Sequence, residues 1–368
     1  MYSVSNAWVT AHNQILAPEG FVELSCHIPE LNQTLVYTKD DLLSFTHTQT
    51  GDLVSGELPK NSIDFTLDNS DGRWNPGSPS GLERYLSERL KITLRYGFKI
   101  NGSTEWIPGG VFYLTEWHSS PNGLEASFKA RDALEYLIDK PYTGLIQGTL
   151  YELIESALAE AFLPSDIAWS LCDELKNYRV EELANEGTMS LAEIIQRCAN
   201  AAGCVMYQDR SGVLRVERLD YKDSGYTVPS KFSYTHPEFE LSKPLKNVSV
   251  SYYGNASTLF HYSSSGETQT LKNDFIATSA QAGTIAKWVC DSLRSRKKIT
   301  GSFRGDPRFD VFDVVQVEGK YGTVVGVVLT DITFRFTGAF SVTYTGYVHG
   351  TGEHMMIYCG EVFAGEVM

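Results

Sequence analysis

The chain has 368 residues, 42% of them hydrophobic, with 20 Tyr and 18 Phe. That composition describes a globular protein with room for two or three cores and excludes a disordered one. Its 45 acidic residues outnumber 31 basic ones, giving a formal charge of −14, which argues against a nucleic-acid clamp that must neutralise phosphates. The six cysteines, at 26, 172, 198, 204, 290 and 359, lack metal-site or redox spacing and read as small apolar fillers in a reducing compartment. No basic-then-apolar leader opens the sequence, and no stretch approaches the roughly 20 apolar residues of a membrane span. A soluble protein made in the cytoplasm is therefore expected.

Residues 1–135 read as an N-terminal β-barrel. Alternating stretches such as "FVELSCHI" (21–28) and "SIDFTLDNSDGRWNPG" (62–77) end in Asn, Asp, Gly and Pro turn chemistry. "LKITLRYGFKINGS" (90–103) closes on Asn-Gly, and "GGVFYLTEWHSSPNGLEASFKARD" (109–132) gives two strands around Ser-Ser-Pro-Asn-Gly.

Residues 136–230 read as an α+β insert of helix, helix and hairpin. In "TLYELIESALAEAF" (149–162) Leu150, Leu153, Ile154, Ala157, Leu158, Ala161 and Phe162 share one helical stripe, with Thr149 and Glu152 spaced as a capping box. "SLAEIIQRCANAAG" (190–203) repeats the device with Ser190, Glu193 and a stop at Gly203. "CVMYQDRSGVLRVERL" (204–219) makes the hairpin, and residues 223–244 read as a linker or irregular crossing.

Residues 231–350 read as a second β-barrel, interrupted by one amphipathic helix at about 278–298 with Ile285, Trp288, Val289 and Leu293 inward. Its basic end, Arg294, Arg296, Lys297 and Lys298, suits the C-terminal dipole of a solvated helix better than a nucleic-acid patch. "DITFRFTGAFSVTYTGYV" (331–348) puts Ile332, Phe334 and Phe336 on one face of a strand, and Phe340, Val342 and Tyr344 on one face of the return strand. The expected fold class is mainly β, two small antiparallel barrels flanking a helix-helix-hairpin domain, with a C-terminal tail at 351–368.

Two distant stretches share a layout of strand, turn, strand, turn, strand. Leu114-Thr115-Glu116 in the first holds the place of Leu329-Thr330-Asp331 in the second. A duplicated barrel would let three copies build a ring of six similar units.

Chemistry is harder to find. No metalloprotease, nucleophile-elbow or P-loop motif occurs, so no catalytic, cofactor-binding or metal residue is assigned, and the protein is expected not to be an enzyme. His349 and His354 lie five apart in a solvated tail, and Glu116 and Asp132 flank a hairpin where a solvent-facing charge is the ordinary case. Trp74, Trp106 and Trp117 read as core or interface aromatics, with a sugar-stacking surface as the rival. Arg304-Gly305-Asp306 invites an adhesion reading. Asp306-Pro307 is also a turn dipeptide, and Asp310 to Asp313 read as the start of the next strand, so the stretch is expected to be scaffold.

Three stretches resemble bacteriophage tail proteins: "SIDFTLDNSDGRWNPG", "PGGVFYLTEWHSSPNGLEASFKARDALEYL" and "GSFRGDPRFDVFDVVQVEGKYGTVVGVVLTDITFRFTGAFSVTYTGYV". Together they place the chain beside the baseplate hub or tail-associated family. The resemblance implies a homotrimer that closes the distal tail tube of a virion and opens for DNA ejection. It implies a distal tail ring protein and a tape-measure protein as partners, and DNA passing through the open channel without sequence-specific binding. A receptor-binding or fibre protein would attach through residues 351–368. That segment is too short for the enzymatic extension many family members carry, so a minimal hub is expected. The alternatives are a carbohydrate-binding host-recognition module and a remnant of a tail-associated cell-wall hydrolase.

Overall fold

In the computed structural model the described residues are 1–349, without 15, 80, 87, 88, 186, 222, 294 and 296. The short helix α1 (Asn6–His12) is capped by the Ser5 hydroxyl, which accepts from the Trp8 N–H, and it buries Trp8 completely. Seven strands follow: β1 (Gly20–Ile28), β2 (Gln33–Tyr37), β3 (Leu42–Thr50), β4 (Lys60–Asp68), β5 (Lys91–Ile100), β6 (Ser103–Ser119) and β7 (Glu125–Arg131). Their period-two patterns send Leu24, Phe65, Tyr96, Phe112 and Phe128 into one core. The β5–β6 turn is Asn101-Gly102, both at positive φ, as a two-residue hairpin requires.

The insert begins with α2 (Glu135–Ile138), β8 (Ile146–Thr149) and α3 (Leu150–Glu160). It continues through β9 (Trp169–Leu171), β10 (Arg179–Leu183), α4 (Leu191–Ala202), β11 (Val205–Gln208) and β12 (Leu214–Glu217). Both expected capping boxes form, each contributing about 1 kcal/mol. Gly203 ends α4 in the left-handed conformation. One expectation fails at the end of α3. The helix stops at Glu160, and Phe162 turns left-handed at φ 50 and faces outward instead of joining the apolar stripe.

Residues 223–244 are not a linker. They form β13 (Asp223–Val228), parallel to β19 (Val314–Glu318), and β14 (Ser233–Leu241), antiparallel to β18 (Lys297–Phe303). Pro237 and a register shift between Thr235 and Glu238 break the alternation that would have announced a strand. Next come β15 (Leu245–Tyr252), β16 (Ala256–His261), β17 (Glu267–Lys272) and α5 (Ser279–Leu293). Val248, Phe275, Ile285 and Val289 from this segment share a core with α3 and α4. Lys297 and Lys298 open strand β18 instead of ending the helix, while Arg294 and Arg296 lie outside the described residues. The chain finishes with β20 (Val324–Phe336) and β21 (Phe340–Val348), and the tail assigned to 351–368 lies outside the described residues.

The protein is mainly β, and its two β regions join in one sheet ordered β14-β18-β21-β20-β3-β4-β7-β6-β5-β1-β2, with β13 and β19 branching from β20. Each region curls over its own core, one around Phe112 and Phe128 and the other around Phe303, Phe334 and Val342. Neither closes into a hydrogen-bonded ring among the described residues. The seam between them is β20 against β3, from Asp331 facing Thr50 to Phe336 facing Phe45.

Candidate functional site

The most informative feature is a duplicated strand unit. Order β3-β4-β7-β6-β5 in the first region matches β14-β18-β21-β20-β19 in the second, antiparallel throughout, and the units part only at the next strand, where β1 runs antiparallel to β5 but β13 parallel to β19. The match extends to single residues. Register slips at Thr115, between Leu114 and Glu116, and at Thr330, between Leu329 and Asp331. The Thr115 hydroxyl donates across the bulge to the Lys129 carbonyl at 3.1 Å, while the Thr330 hydroxyl lies 3.4 Å from the Thr345 carbonyl and donates to the neighbouring Asp331 carboxylate at 2.8 Å. Lys129 faces Glu116, and Thr345 faces Asp331, so the two carbonyls occupy equivalent places. Repeating a bulge at the same threonine, in the same register, is far more specific than repeating a meander.

The units meet at two polar braces. In the first, Asp306 is fully buried and gripped by Arg308, whose Nε donates to Oδ1 at 2.9 Å and whose Nη2 donates to Oδ2 at 2.6 Å. Burial alone would raise the Asp306 pKa, but the fields of His12 and Arg308 outweigh it and hold the carboxyl below its usual range. Burial in turn lowers the His12 pKa, and its Nε2–H donates to the Gly305 carbonyl at 2.7 Å. Arg304 stacks 3.3 Å above the Phe232 ring centre and donates to the Gln14 carbonyl at 2.7 Å. The Arg-Gly-Asp tripeptide is thus a turn built into the interior, with its carboxylate out of a receptor's reach. The strand after it starts at Val314, later than expected, because Phe312 takes a left-handed φ of 72.

The second brace pins the insert. Arg210, at the tip of the β11–β12 hairpin, donates through Nε to Asp310 at 2.6 Å, and Gln49 of β3 donates to the same carboxylate at 3.2 Å. The other Arg210 nitrogens donate to the Pro108 carbonyl at 3.0 Å and the Phe309 carbonyl at 2.7 Å. One side chain therefore ties the insert to both strand units. Beside it opens a cleft of about 640 Å³ lined by Gln49, Asp132, Arg210, Arg218 and Asp310.

Asp132, which sequence reasoning placed in solvent, is buried in the wall of this cleft. Oδ1 accepts from the Leu134 N–H, Oδ2 has no hydrogen-bond partner among the described residues, and burial pushes its pKa up to about 7. Glu116 is exposed and pairs with Lys129 at 2.7 Å, so the two carboxyls do not converge. Trp74 lies inside the first core against Phe128, while Trp106 and Trp117 are half-buried, so the three do not share a sugar-stacking face. His349 packs against Tyr221, and His354 lies outside the described residues. Spacing missed Cys172 and Cys204, whose sulfurs meet at 3.4 Å in the insert. Among the described residues no group of three or more His, Cys, Asp or Glu could hold a metal, and no helix is long and apolar enough to cross a membrane.

Against solved structures the likeness is extensive. A tail protein from Neisseria meningitidis MC58 matches with TM-score 0.62 and 13% identity over 89% of this chain and 96% of that one. The 43 kDa tail protein of prophage MuSo2 from Shewanella oneidensis matches with TM-score 0.60 and 12% identity over 89% and 98%. The chain has the fold of phage tail proteins. An Escherichia coli type VI secretion component, c3393, itself described as similar to the T4 tail proteins gp27 and gp5, matches this tail-protein fold with TM-score 0.51 and 15% identity over 84% and 74%. No sequence-family profile and no curated protein matches the chain.

Proposed function

We propose that the chain is a structural, non-enzymatic hub at the tail tip of a phage virion. Three copies form a ring that closes the distal tail tube and opens for DNA ejection. The observation that carries this reading is the pair of equivalent strand units in one chain, down to the bulges at Thr115 and Thr330, within a tail-protein fold. Three such chains present six similar units, which suits a sixfold tube. A distal tail ring protein and a tape-measure protein are the partners this role calls for. A fibre or receptor-binding protein at residues 351–368 would link the ring to host attachment.

The mechanism is mechanical. The insert, held at Arg210, swings away from the ring axis when the tail meets the cell, and the excess of acidic residues keeps DNA from adhering as it passes. Light scattering over a concentration series tests the reading. It predicts about 123 kDa, three times the 41.0 kDa chain, and a monomer throughout overturns it.

A further inference from the structure

We propose that the C-terminal half of β6 in one copy pairs, antiparallel, with the outer edge of β14 in the next, in the register that β20 and β3 adopt within the chain. The inference rests on the ring reading above and supplies its contact. β20 is flanked on one edge by β19 along Val324–Val328 and by β3 along Asp331–Phe336. Its counterpart β6 is flanked by β5 only as far as Tyr113, so Glu116–Ser119 have no strand on that edge among the described residues. The counterpart of β3 is β14, and its outer edge also has no strand among the described residues. The two open edges are the two halves of the seam that β20 and β3 complete inside the chain.

Burial supports the assignment. Ile63 faces His47 and Ile299 faces Phe239, so those positions are equivalent, as are Gln49 and Leu241 two residues on. Beside β20, His47 is 1% exposed and Gln49 6%. On the open edge, Phe239 is 42% exposed and Leu241 45%. Large apolar side chains at core-facing positions of an unpaired edge mark a surface that another strand covers. The internal seam pairs Phe334 with His47 and Ile332 with Gln49. Transferred between copies, that register sets Ser119 against Phe239, Trp117 against Leu241, and His118 against Glu240. The contact is head-to-tail and closes a ring in which six seams alternate between internal and intermolecular.

The test is a cross-link between exposed positions. In a chain carrying Cys359→Ser, His118→Cys with Glu240→Cys places thiols on opposed residues, while His118→Cys with His236→Cys is four residues out of register. Under mild oxidation the first pair is expected to give a reducible species of three chains, mixed single variants only dimers, and the second pair nothing. A trimer by light scattering without the selective cross-link, or equal cross-linking of both pairs, overturns the pairing and leaves the trimer standing. A monomer that never cross-links overturns the trimer as well.

Discussion

Arg89 and Phe312, at equivalent points of the two strand units, share a left-handed backbone, with φ of 64 and 72. Each donates its N–H to the residue before the bulge, Arg89 to the Leu114 carbonyl at 2.9 Å and Phe312 to the Leu329 carbonyl at 2.7 Å. Neither is a glycine, so each carries about 1–2 kcal/mol of backbone strain that the surrounding sheet must over-determine. Strain kept at the same place in both units supports an inherited geometry.

Replacing the two residues separates backbone from side chain. Arg89→Gly relieves the strain but loses the guanidinium stacked 4.7 Å from the Tyr136 ring, so its stability should stay within about 1 kcal/mol of the parent. Phe312→Gly also loses a buried ring and should cost about 2–4 kcal/mol. Urea denaturation of both variants checks the contrast. Equal effects would remove the strain argument.

Asp306→Ala should be among the most damaging single changes, at about 3–5 kcal/mol, because it leaves the Arg308 guanidinium buried without its carboxylate. The same burial predicts that the folded chain shows no binding to an Arg-Gly-Asp receptor, while a peptide of residues 301–309 is free to bind. Surface plasmon resonance with both samples decides it.

Arg210→Ala should loosen the insert without unfolding the strand units. It removes contacts to Asp310, Pro108 and Phe309 together. Hydrogen exchange should quicken in β11 and β12 by at least tenfold while the amides of β4 and β7 stay protected. Uniform quickening would mean that the brace supports the whole molecule and not the insert alone.

Asp132 gives a pH dependence of defined sign. Its folded pKa, about 7, stands above the usual 3.8, so the folded chain binds this proton more tightly than the unfolded one. The contribution is complete below about pH 4 and is lost as pH rises through 7, by at most about 4 kcal/mol. Asp132→Asn should flatten that fall and raise the melting temperature at pH 8 relative to the parent. A melting curve unchanged by the substitution from pH 5 to pH 8 would place this carboxyl in water.

Much of the molecule is written in local pattern. The capping boxes at Thr149 and Ser190, the Asn101-Gly102 turn and the alternation through Ile332, Phe334 and Phe336 each depend on a few neighbours, so sequence alone determined those elements. The echo of Leu114-Thr115-Glu116 in Leu329-Thr330-Asp331 likewise paired two equivalent places, and the structure alone showed that each is a bulge. Tertiary structure decided the rest. β14 hides from pattern because its outer edge has no strand partner among the described residues and Pro237 interrupts it. Burial of Asp306 and Asp132, the meeting of Cys172 with Cys204, and the grip of Arg210 on both units join residues far apart in sequence or desolvate them from several sides. Periodicity reports which side of an element is apolar. Which second element covers that side, and which charge is sealed beneath it, is settled only when the whole chain has folded.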